Sequence, residues 1–382
     1  MTTAITKVEV QQAWTIARSE MRRAFLSKRG LWVYLLALFP CAAYLAHDVQ
    51  MKVMEERWTR HGLTSVQLVD SFTKGETADA VLKRAPNPAF DHSWKNRRDD
   101  DGDRDGRAAE GREKTGKDRK ERAEETVQRR AITYFDGQRV VDLRFSDGVL
   151  QEKLVRPIRD LEMDRRIFAG IFQYFYLRLA IFFGCLGIFM NLFRGEMLDK
   201  TLHFWFLMPV RREVLLAGKY IAGLTAASVI FGGGALLGYA AVLWPHNGVE
   251  GQAFMAAVGW SHAFWYAAAA VLGCLGYGSV FLAAGLLLRN PIIPAAVILL
   301  WESINGFLPA VLQKLSVLYY LQSLCPEAAP MDENSPMLRL LLAPAAPASK
   351  SLAIVGLVAV TALVLWAASR AVRTIEINYS TE

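Results

Sequence analysis

The sequence predicts an all-α polytopic membrane protein with six transmembrane helices and, between the first two, an extracytoplasmic domain that contains some β structure. Three observations support this fold class. Long apolar segments recur at about the 20 residues that a helix needs to cross a bilayer. The chain is 53% hydrophobic yet 21% charged, which fits a membrane bundle joined to one polar domain. Short basic segments alternate with the apolar ones, as in membrane proteins whose cytosolic loops are basic.

Residues 1–30 predict a cytosolic amphipathic helix at the membrane surface. Apolar residues recur at spacings of three and four among several arginines: Val10, Ala13, Trp14, Ala17, Met21 and Phe25. A basic amphipathic helix that carries a tryptophan suits the membrane interface. The length of this leader and the lack of a clean small-residue cleavage site argue against a secretory signal peptide.

The first predicted span, 31–47, leads into a polar domain over 48–165, which lies outside if the N-terminus is cytosolic. Apolar and polar residues alternate around Asp136-Gly137 and before Asp147-Gly148, which predicts a β-hairpin or a small sheet. Residues 95–130 are rich in both charges and in glycine, with few large apolar residues. We expect much of that insert to be disordered or loosely helical.

Two runs inside the insert resemble ligand-binding loops, and each lacks a ligating residue. Residues 111–118 approach a phosphate-binding loop, but Asp118 stands where Ser or Thr would bind Mg²⁺. Residues 101–112 begin like a calcium loop, but Arg112 replaces the bidentate glutamate. We therefore expect no cofactor on this chain and no enzymatic activity of its own, and a weak extracellular calcium contact remains the alternative for the second run.

Five further spans are predicted after the polar domain: 167–193, 217–244, 262–288, 291–312 and 350–369. An extracytoplasmic segment, 313–349, separates the last two, and a cytosolic tail covers 370–382. The inner segments carry arginine and lysine, whereas the turn at 244–248 carries neither. This asymmetry predicts that both termini are cytosolic.

Residues 194–216 form a charged, amphipathic segment between the second and third spans. We expect a short helix there, with Glu196 at its positive N-terminal end and Pro209 stopping it. The apolar face of this helix would consist of Leu198, Leu202, Trp205 and Phe206. Such a helix either meets a partner protein or lies on the bilayer without one.

Short motifs in and after this segment carry a family resemblance: Gly195-Glu196, Lys200-Thr201-Leu202, Pro209-Val210-Arg211-Arg212, Leu216 and Gly218-Lys219. Over roughly 168–230 the chain resembles ABC-2 type transporter permeases. The resemblance implies a homodimer in a bacterial inner membrane, with two copies of a separate ATPase that carry the ATP and Mg²⁺. It also implies that 194–216 is the coupling helix on which the ATPase docks, through Glu196, Lys200, Thr201, Leu202, Trp205, Phe206, Pro209 and Arg212.

The function implied is ATP-driven transport. Export of a hydrophobic or amphiphilic substrate is expected, because the spans show no charged ring suited to an ion pathway. The alternative is a non-transporting membrane anchor or envelope sensor whose external domain binds another protein. Nucleic-acid binding is not expected, because the basic residues flank spans or lie in a mixed-charge run.

Two ionisable residues inside predicted spans, Arg178 and Glu302, are candidates for function because charge is costly in lipid. At 1.5 Å per residue, Arg178 lies about 18 Å below the outer edge and Glu302 about 16 Å above the inner edge. In a core of about 30 Å these depths nearly coincide, which predicts an intramembrane pair. Alternatively, Arg178 extends to the outer surface and Glu302 is protonated or faces a wet cavity. The ring-rich run 168–176 would line a path for an amphiphile or form an interfacial belt.

Overall fold

The computed structural model describes residues 7–26, 31–61, 63–97, 126–198, 205, 207, 209–288, 292–304, 310–313, 316–328 and 348–374. The chain divides into two compact units. We call Met1–Leu45 with Leu161–Glu382 the helical unit, and Ala46–Asp160 the sheet unit. The chain begins with α1 (Lys7–Leu26), followed by α2 (Leu31–His61), whose residues before Ala46 belong to the helical unit and whose remainder belongs to the sheet unit.

The sheet unit continues with two short helices, α3 (Val66–Asp70) and α4 (Ala78–Arg84). Four strands follow: β1 (Phe90–Arg97), β2 (Thr126–Phe135), β3 (Arg139–Ser146) and β4 (Val149–Pro157). They form one antiparallel sheet in the order β1-β2-β3-β4, which confirms the predicted small sheet. The tight turns form where predicted, because Gly137, Asp147 and Gly148 adopt the positive φ angles that such turns need.

One face of the sheet carries the core of this unit. Val69, Phe72 and Val81 of the α3–α4 region pack against alternate residues of β2 and β3, such as Ile132 and Leu143. Tyr134 is buried there, and its hydroxyl donates a hydrogen bond to the Ala85 carbonyl at 2.8 Å. Alternation along the strands therefore separates a buried face from an exposed one.

The sheet corrects the boundaries of the predicted insert 95–130. Residues 95–97 belong to β1 and residues 126–130 to β2, where they pair with each other in register. The sequence did not predict strands at these residues, because their composition is polar and charged and strand pairing leaves no mark in composition. Residues 98–125, including both ligand-like runs, lie outside the described residues.

The helical unit resumes with α5 (Leu161–Gly170), a π-helical stretch (Ile171–Ala180) and α6 (Ile181–Leu198). Next come α7 (Arg212–Ala227), a second π-helical stretch (Ser228–Gly232) and α8 (Gly233–Leu243). Then come α9 (Val249–Phe254), a third π-helical stretch (Met255–Gly259) and α10 (Trp260–Leu287). The last helices described are α11 (Ile292–Ile304), α12 (Ala310–Gln313), α13 (Val317–Leu324) and α14 (Lys350–Thr374).

Among the residues that the structure describes, five helices are long and apolar enough to cross a membrane: Leu31–Arg60, Leu161–Phe193, Arg212–Leu243, Val249–Leu287 and Lys350–Arg373. The chain is therefore a mostly helical, multi-pass membrane protein. The fourth of these helices begins earlier than the predicted 262–288. The predicted span 291–312 corresponds to α11, whose 13 residues rise only about 20 Å in a core of about 30 Å.

Small residues let the helices of this unit approach closely. An added Cβ at Gly223 of α7 would lie 2.8 Å from the Phe189 ring of α6, and Gly278 of α10 receives the same ring from another side. In lipid, where apolar groups gain little from leaving the solvent, close packing of this kind is what holds helices together. The glycine and alanine content of these spans thus has a direct structural use.

Burial adds detail to two predicted regions of the helical unit. Phe168, Phe172 and Tyr176 are buried: the first two contact Tyr266 and Tyr176 contacts Phe231, so these three residues fill the core. Tyr174 of the same run is 44% exposed. The predicted extracytoplasmic segment 313–349 begins with a buried helix, α13, whose apolar residues belong to the same core cluster. Composition alone does not distinguish the short apolar helix α13 from a loop.

Candidate functional site

The most unusual side chain of the helical unit is Lys219, which lies on α7 and is 0% exposed. Its Nζ donates to Glu196 Oε1 at 2.8 Å and to the Leu192 carbonyl at 2.9 Å, both on α6, and lies 3.4 Å from Glu20 Oε1 on α1. Burying an ammonium group is costly unless anions and acceptors replace its water. Lys219 therefore connects three helices through one charge, and we call Glu20, Glu196 and Lys219 the buried triad.

The helices bring the triad together through a close approach at Gly218. An added Cβ there would lie 2.9 Å from the Ala13 carbonyl and from Ile16, so α1 packs directly on the α7 backbone. Two rings complete the surroundings of Lys219. The Phe193 ring centroid lies 5.4 Å from Nζ and the Trp205 centroid 5.1 Å, distances at which aromatic faces attract a cation.

Further charged contacts surround the triad at the same end of the helical unit. Arg211 pairs with Glu9 of α1 at 2.8 Å, and Arg373 of α14 pairs with Glu213 of α7. Arg212 donates to the carbonyls of residues 372 and 373 at 3.2 and 3.3 Å. These contacts join α1, α7 and α14 where the segment between α6 and α7 ends.

The structure changes the predicted role of Glu196. We expected it to begin a short amphipathic helix, but it lies in the last turn of α6 and is buried. The helix continues past Phe193 because neither Gly195 nor Glu196 interrupts its hydrogen bonding, and Lys219 neutralises the carboxylate. A favourable interaction with a helix N-terminus is thus replaced by a direct ion pair.

The other predicted coupling residues are only partly described. Trp205 is half-buried over Lys219, Pro209 is exposed, and Arg212 bonds to the end of α14. Lys200, Thr201, Leu202 and Phe206 lie outside the described residues, and so does most of the predicted coupling helix. Docking of an ATPase on these positions stays a prediction.

Glu302 is 3% exposed and accepts hydrogen bonds from the Ser316 hydroxyl and from Val317 N at 3.1 Å. It therefore caps the N-terminus of α13, with Ser316 as the N-cap residue. Among the described side chains no ion pair within 4.0 Å joins Glu302 to Arg178. The approach of the two residues to each other inside the membrane stays a prediction.

Sequence reasoning missed Glu20 and Ser316. Glu20 follows Ile16 and Ala17 on the buried face of α1. An acidic residue on an apolar helix face signals a buried cationic partner, but the partner lies 199 residues away along the chain. Ser316 precedes the apolar run that forms α13, which is a typical N-cap position.

Metal binding offers no alternative centre in the regions that the structure describes, which contain no group of three or more His, Cys, Asp or Glu side chains close enough to hold an ion. Compared with known proteins, the chain matches no family model, no curated protein and no solved structure. Its function must therefore be argued from its own residues.

Proposed function

We propose that the chain is the membrane-spanning permease subunit of an ATP-driven transporter, powered by a separate ATPase that docks on the segment between α6 and α7. The observation that supports this most is the buried triad. A partner can drive a membrane bundle through a loop only if both ends of the loop are firmly attached. Lys219 bonds the start of α7 to the end of α6 and to α1, so a force on the loop would reach three helices together.

The proposal also includes six membrane spans, with the N-terminus and the C-terminus on the same side of the membrane. The C-terminal end of α10 meets the end of α6, since Gly285 lies against the Met190 backbone. At the opposite end of α10, near its start, the Trp265 ring lies 4.0 Å from Nζ of Lys350, the first residue of α14. The end of α14 returns to the start of α7. These contacts support one further crossing between α10 and α14, by a span that includes α11.

Placement of this end in the cytosol of a bacterial inner membrane rests on its basic residues and on the family resemblance. Three of those basic residues, Arg211, Lys219 and Arg373, are paired with Glu9, Glu196 and Glu213. In the proposal the active unit is a homodimer with two ATPase copies, and the substrate that it exports is hydrophobic or amphiphilic.

The experiment that tests the proposal is purification of the tagged chain from native membranes in a mild detergent, with mass spectrometry of what accompanies it. A stoichiometric ATPase, whose hydrolysis rate changes when it is reconstituted with the chain, is the expected result. A chain that is purified with no ATPase, but with a protein bound to the sheet unit, would instead favour the anchor or sensor.

The coupling segment itself is tested by replacing Trp205 and Phe206 with alanine. We expect weaker ATPase association, or hydrolysis that no longer responds to reconstitution, because an apolar helix face binds by filling a groove on its partner. Trp260→Ala is the matched control, since Trp260 is exposed on α10 and outside the segment. Equal coupling in the double variant and the control would contradict the docking site.

A further inference from the structure

Two described residues of the segment between α6 and α7 face in different directions. Trp205 and Leu207 both have helical backbone. Because a helix turns by about 100° per residue, side chains two positions apart lie about 200° apart around its axis. The Trp205 ring lies over Nζ of Lys219, whereas the Leu207 side chain is 78% exposed. At Trp205, the face that the sequence predicts for a partner thus turns toward the protein itself.

Trp205 does not supply a hydrogen bond that Lys219 lacks. An ammonium group has three N–H donors. At Lys219 these donors meet three acceptors on α6 and α1: Glu196 Oε1 at 2.8 Å, the Leu192 carbonyl at 2.9 Å and Glu20 Oε1 at 3.4 Å. The Trp205 ring, 5.1 Å from Nζ, therefore acts on the charge in another way. Its face attracts the cation and its bulk excludes water.

The two rings near Nζ of Lys219 belong to different parts of the chain. The Phe193 ring is part of α6 and is 0% exposed, so it stays with the triad whatever the segment does. Trp205 belongs to the segment and moves with it. Charges attract each other strongly where water is excluded and weakly where water solvates them. Displacing the Trp205 ring would therefore weaken the attachment of three helices at Lys219.

We propose that Trp205 is a positioning residue whose ring covers the ammonium group of Lys219, fastens the segment to the helical unit and uncovers the triad when the segment moves. Trp205 then transmits the movement of the segment without touching the protein that drives it. Coverage of Lys219 is a property of this chain alone. Only the transmission of a partner's movement rests on the proposed function.

Acylation of lysines by an amine-reactive ester, in the full chain held in nanodiscs, tests the coverage of Lys219. Digestion and mass spectrometry give the modified fraction of Lys219 relative to that of Lys52, whose side chain is 54% exposed. Trp205→Ala should raise this ratio several-fold, and Trp205→Phe, which keeps a ring, should leave it near the parent value. Leu207→Ala is the matched control and should not change it. An unchanged ratio in folded Trp205→Ala, or an equal rise in Leu207→Ala, would overturn the proposal.

A double-mutant cycle shows whether Trp205 acts through the ammonium group. The shift in thermal midpoint caused by Trp205→Ala is measured in the parent chain and again in Lys219→Met. The shift should be clearly smaller in Lys219→Met, because the cation that the ring covers is gone. Equal shifts in the two backgrounds would mean that the ring packs independently of the charge, which contradicts the proposed role.

Association and coupling, measured with the ATPase, separate this role from that of a docking contact. Trp205→Ala alone should bind as much ATPase as the parent chain does, because the ring faces the triad. Its hydrolysis rate, however, should no longer change on reconstitution. Loss of ATPase binding in Trp205→Ala would overturn the positioning role and make Trp205 a docking contact. If no ATPase accompanies the parent chain, the proposed function fails, and acylation and the mutant cycle still decide whether Trp205 covers Lys219.

Discussion

Ion pairs of similar length occur in the core of the helical unit and on the surface of the sheet unit. Lys219 and Glu196 are 2.8 Å apart and almost completely buried. Arg144 and Glu152, on the exposed face of the sheet, are 3.0 Å apart, with side chains 57% and 48% exposed. Water solvates the surface pair whether or not it forms, whereas the buried pair has given up its water. The comparison shows that distance alone does not rank ion pairs.

The difference has opposite consequences for folding and for mutation. A solvated pair contributes little, about 0–1 kcal/mol, because desolvation and screening offset the attraction. A buried pair contributes an uncertain net amount, yet removing one partner is costly because the other charge stays buried. The triad is therefore sensitive to single changes, as expected for a group that holds three helices together.

The largest effect is expected for Lys219→Met, which removes the cation to which both carboxylates of the triad bond. The variant should lose about 3–5 kcal/mol of unfolding free energy, with a lower thermal midpoint in detergent or nanodiscs. Tyr220→Phe on the next residue of α7 is the matched control. It loses only the hydrogen bond from its hydroxyl to the Leu275 carbonyl, which is worth about 1 kcal/mol. A Lys219→Met chain as stable as this control would mean that the triad is not structural.

A smaller loss of stability is expected when one carboxylate of the triad is neutralised, and the two carboxylates should differ in the size of that loss. Glu196→Gln should destabilise more than Glu20→Gln, because Nζ lies 2.8 Å from Glu196 Oε1 but 3.4 Å from Glu20 Oε1. Hydrogen bonds to charged groups contribute about 1.5–3 kcal/mol, which sets the scale for Glu196. Thermal unfolding of both variants beside the parent chain measures the order, and the reverse order would assign the main counter-ion to α1.

Much of the fold followed from local patterns in the sequence. Long apolar runs gave the long helices, and alternation beside Asp136-Gly137 and Asp147-Gly148 gave the sheet, because both signals depend on near neighbours. What the sequence could not indicate depends on distant partners. The packing of α1 on Gly218 and the burial of α13 are decided by surfaces that form only after the helices assemble.

The candidate site shows the same limit more sharply. Glu196 and Lys219 were both recognisable in the motifs of 194–219, but no spacing rule predicts that they meet. The sequence marks Lys219 only as part of the Gly218-Lys219 motif, and the structure places its ammonium group beside two carboxylates. Residues are thus easier to nominate from sequence than the contacts through which they act.

A moderate, pH-dependent effect is expected in the sheet unit, where the partly exposed Asp91 stands between the two extremes. The hydrogen bonds from Arg130 lower the pKa of Asp91 below its ordinary value, more than partial burial raises it. The folded state therefore holds this carboxylate charged to lower pH than the unfolded chain does. Its contribution is complete above the unfolded pKa, near 4, and is lost as pH falls through the folded value.

Hydrogen exchange of β1 amides in the full chain, followed from neutral pH to below pH 4, measures this effect after correction for intrinsic exchange rates. Opening of β1 should become easier on acidification in the parent chain. Asp91→Asn should already open more easily at neutral pH and should show a weaker dependence on acid. An unchanged pH dependence in the variant would show that Asp91 does not cause the acid sensitivity of β1. Asp136, whose pKa is also lowered, would then be the candidate.

The smallest effect is expected for Arg144→Ala, which breaks the surface pair with Glu152. The change should stay within about 0.5 kcal/mol, because water replaces the lost partner on both sides. Salt sharpens the comparison with the triad: screening acts over about 10 Å at 0.1 M and reaches exposed pairs far more than buried ones. Raising the salt concentration should therefore remove the small cost of Arg144→Ala in thermal unfolding and leave that of Lys219→Met nearly intact. If both costs fell together as salt increased, water would have access to Lys219, and the distinction between the two regions would fail.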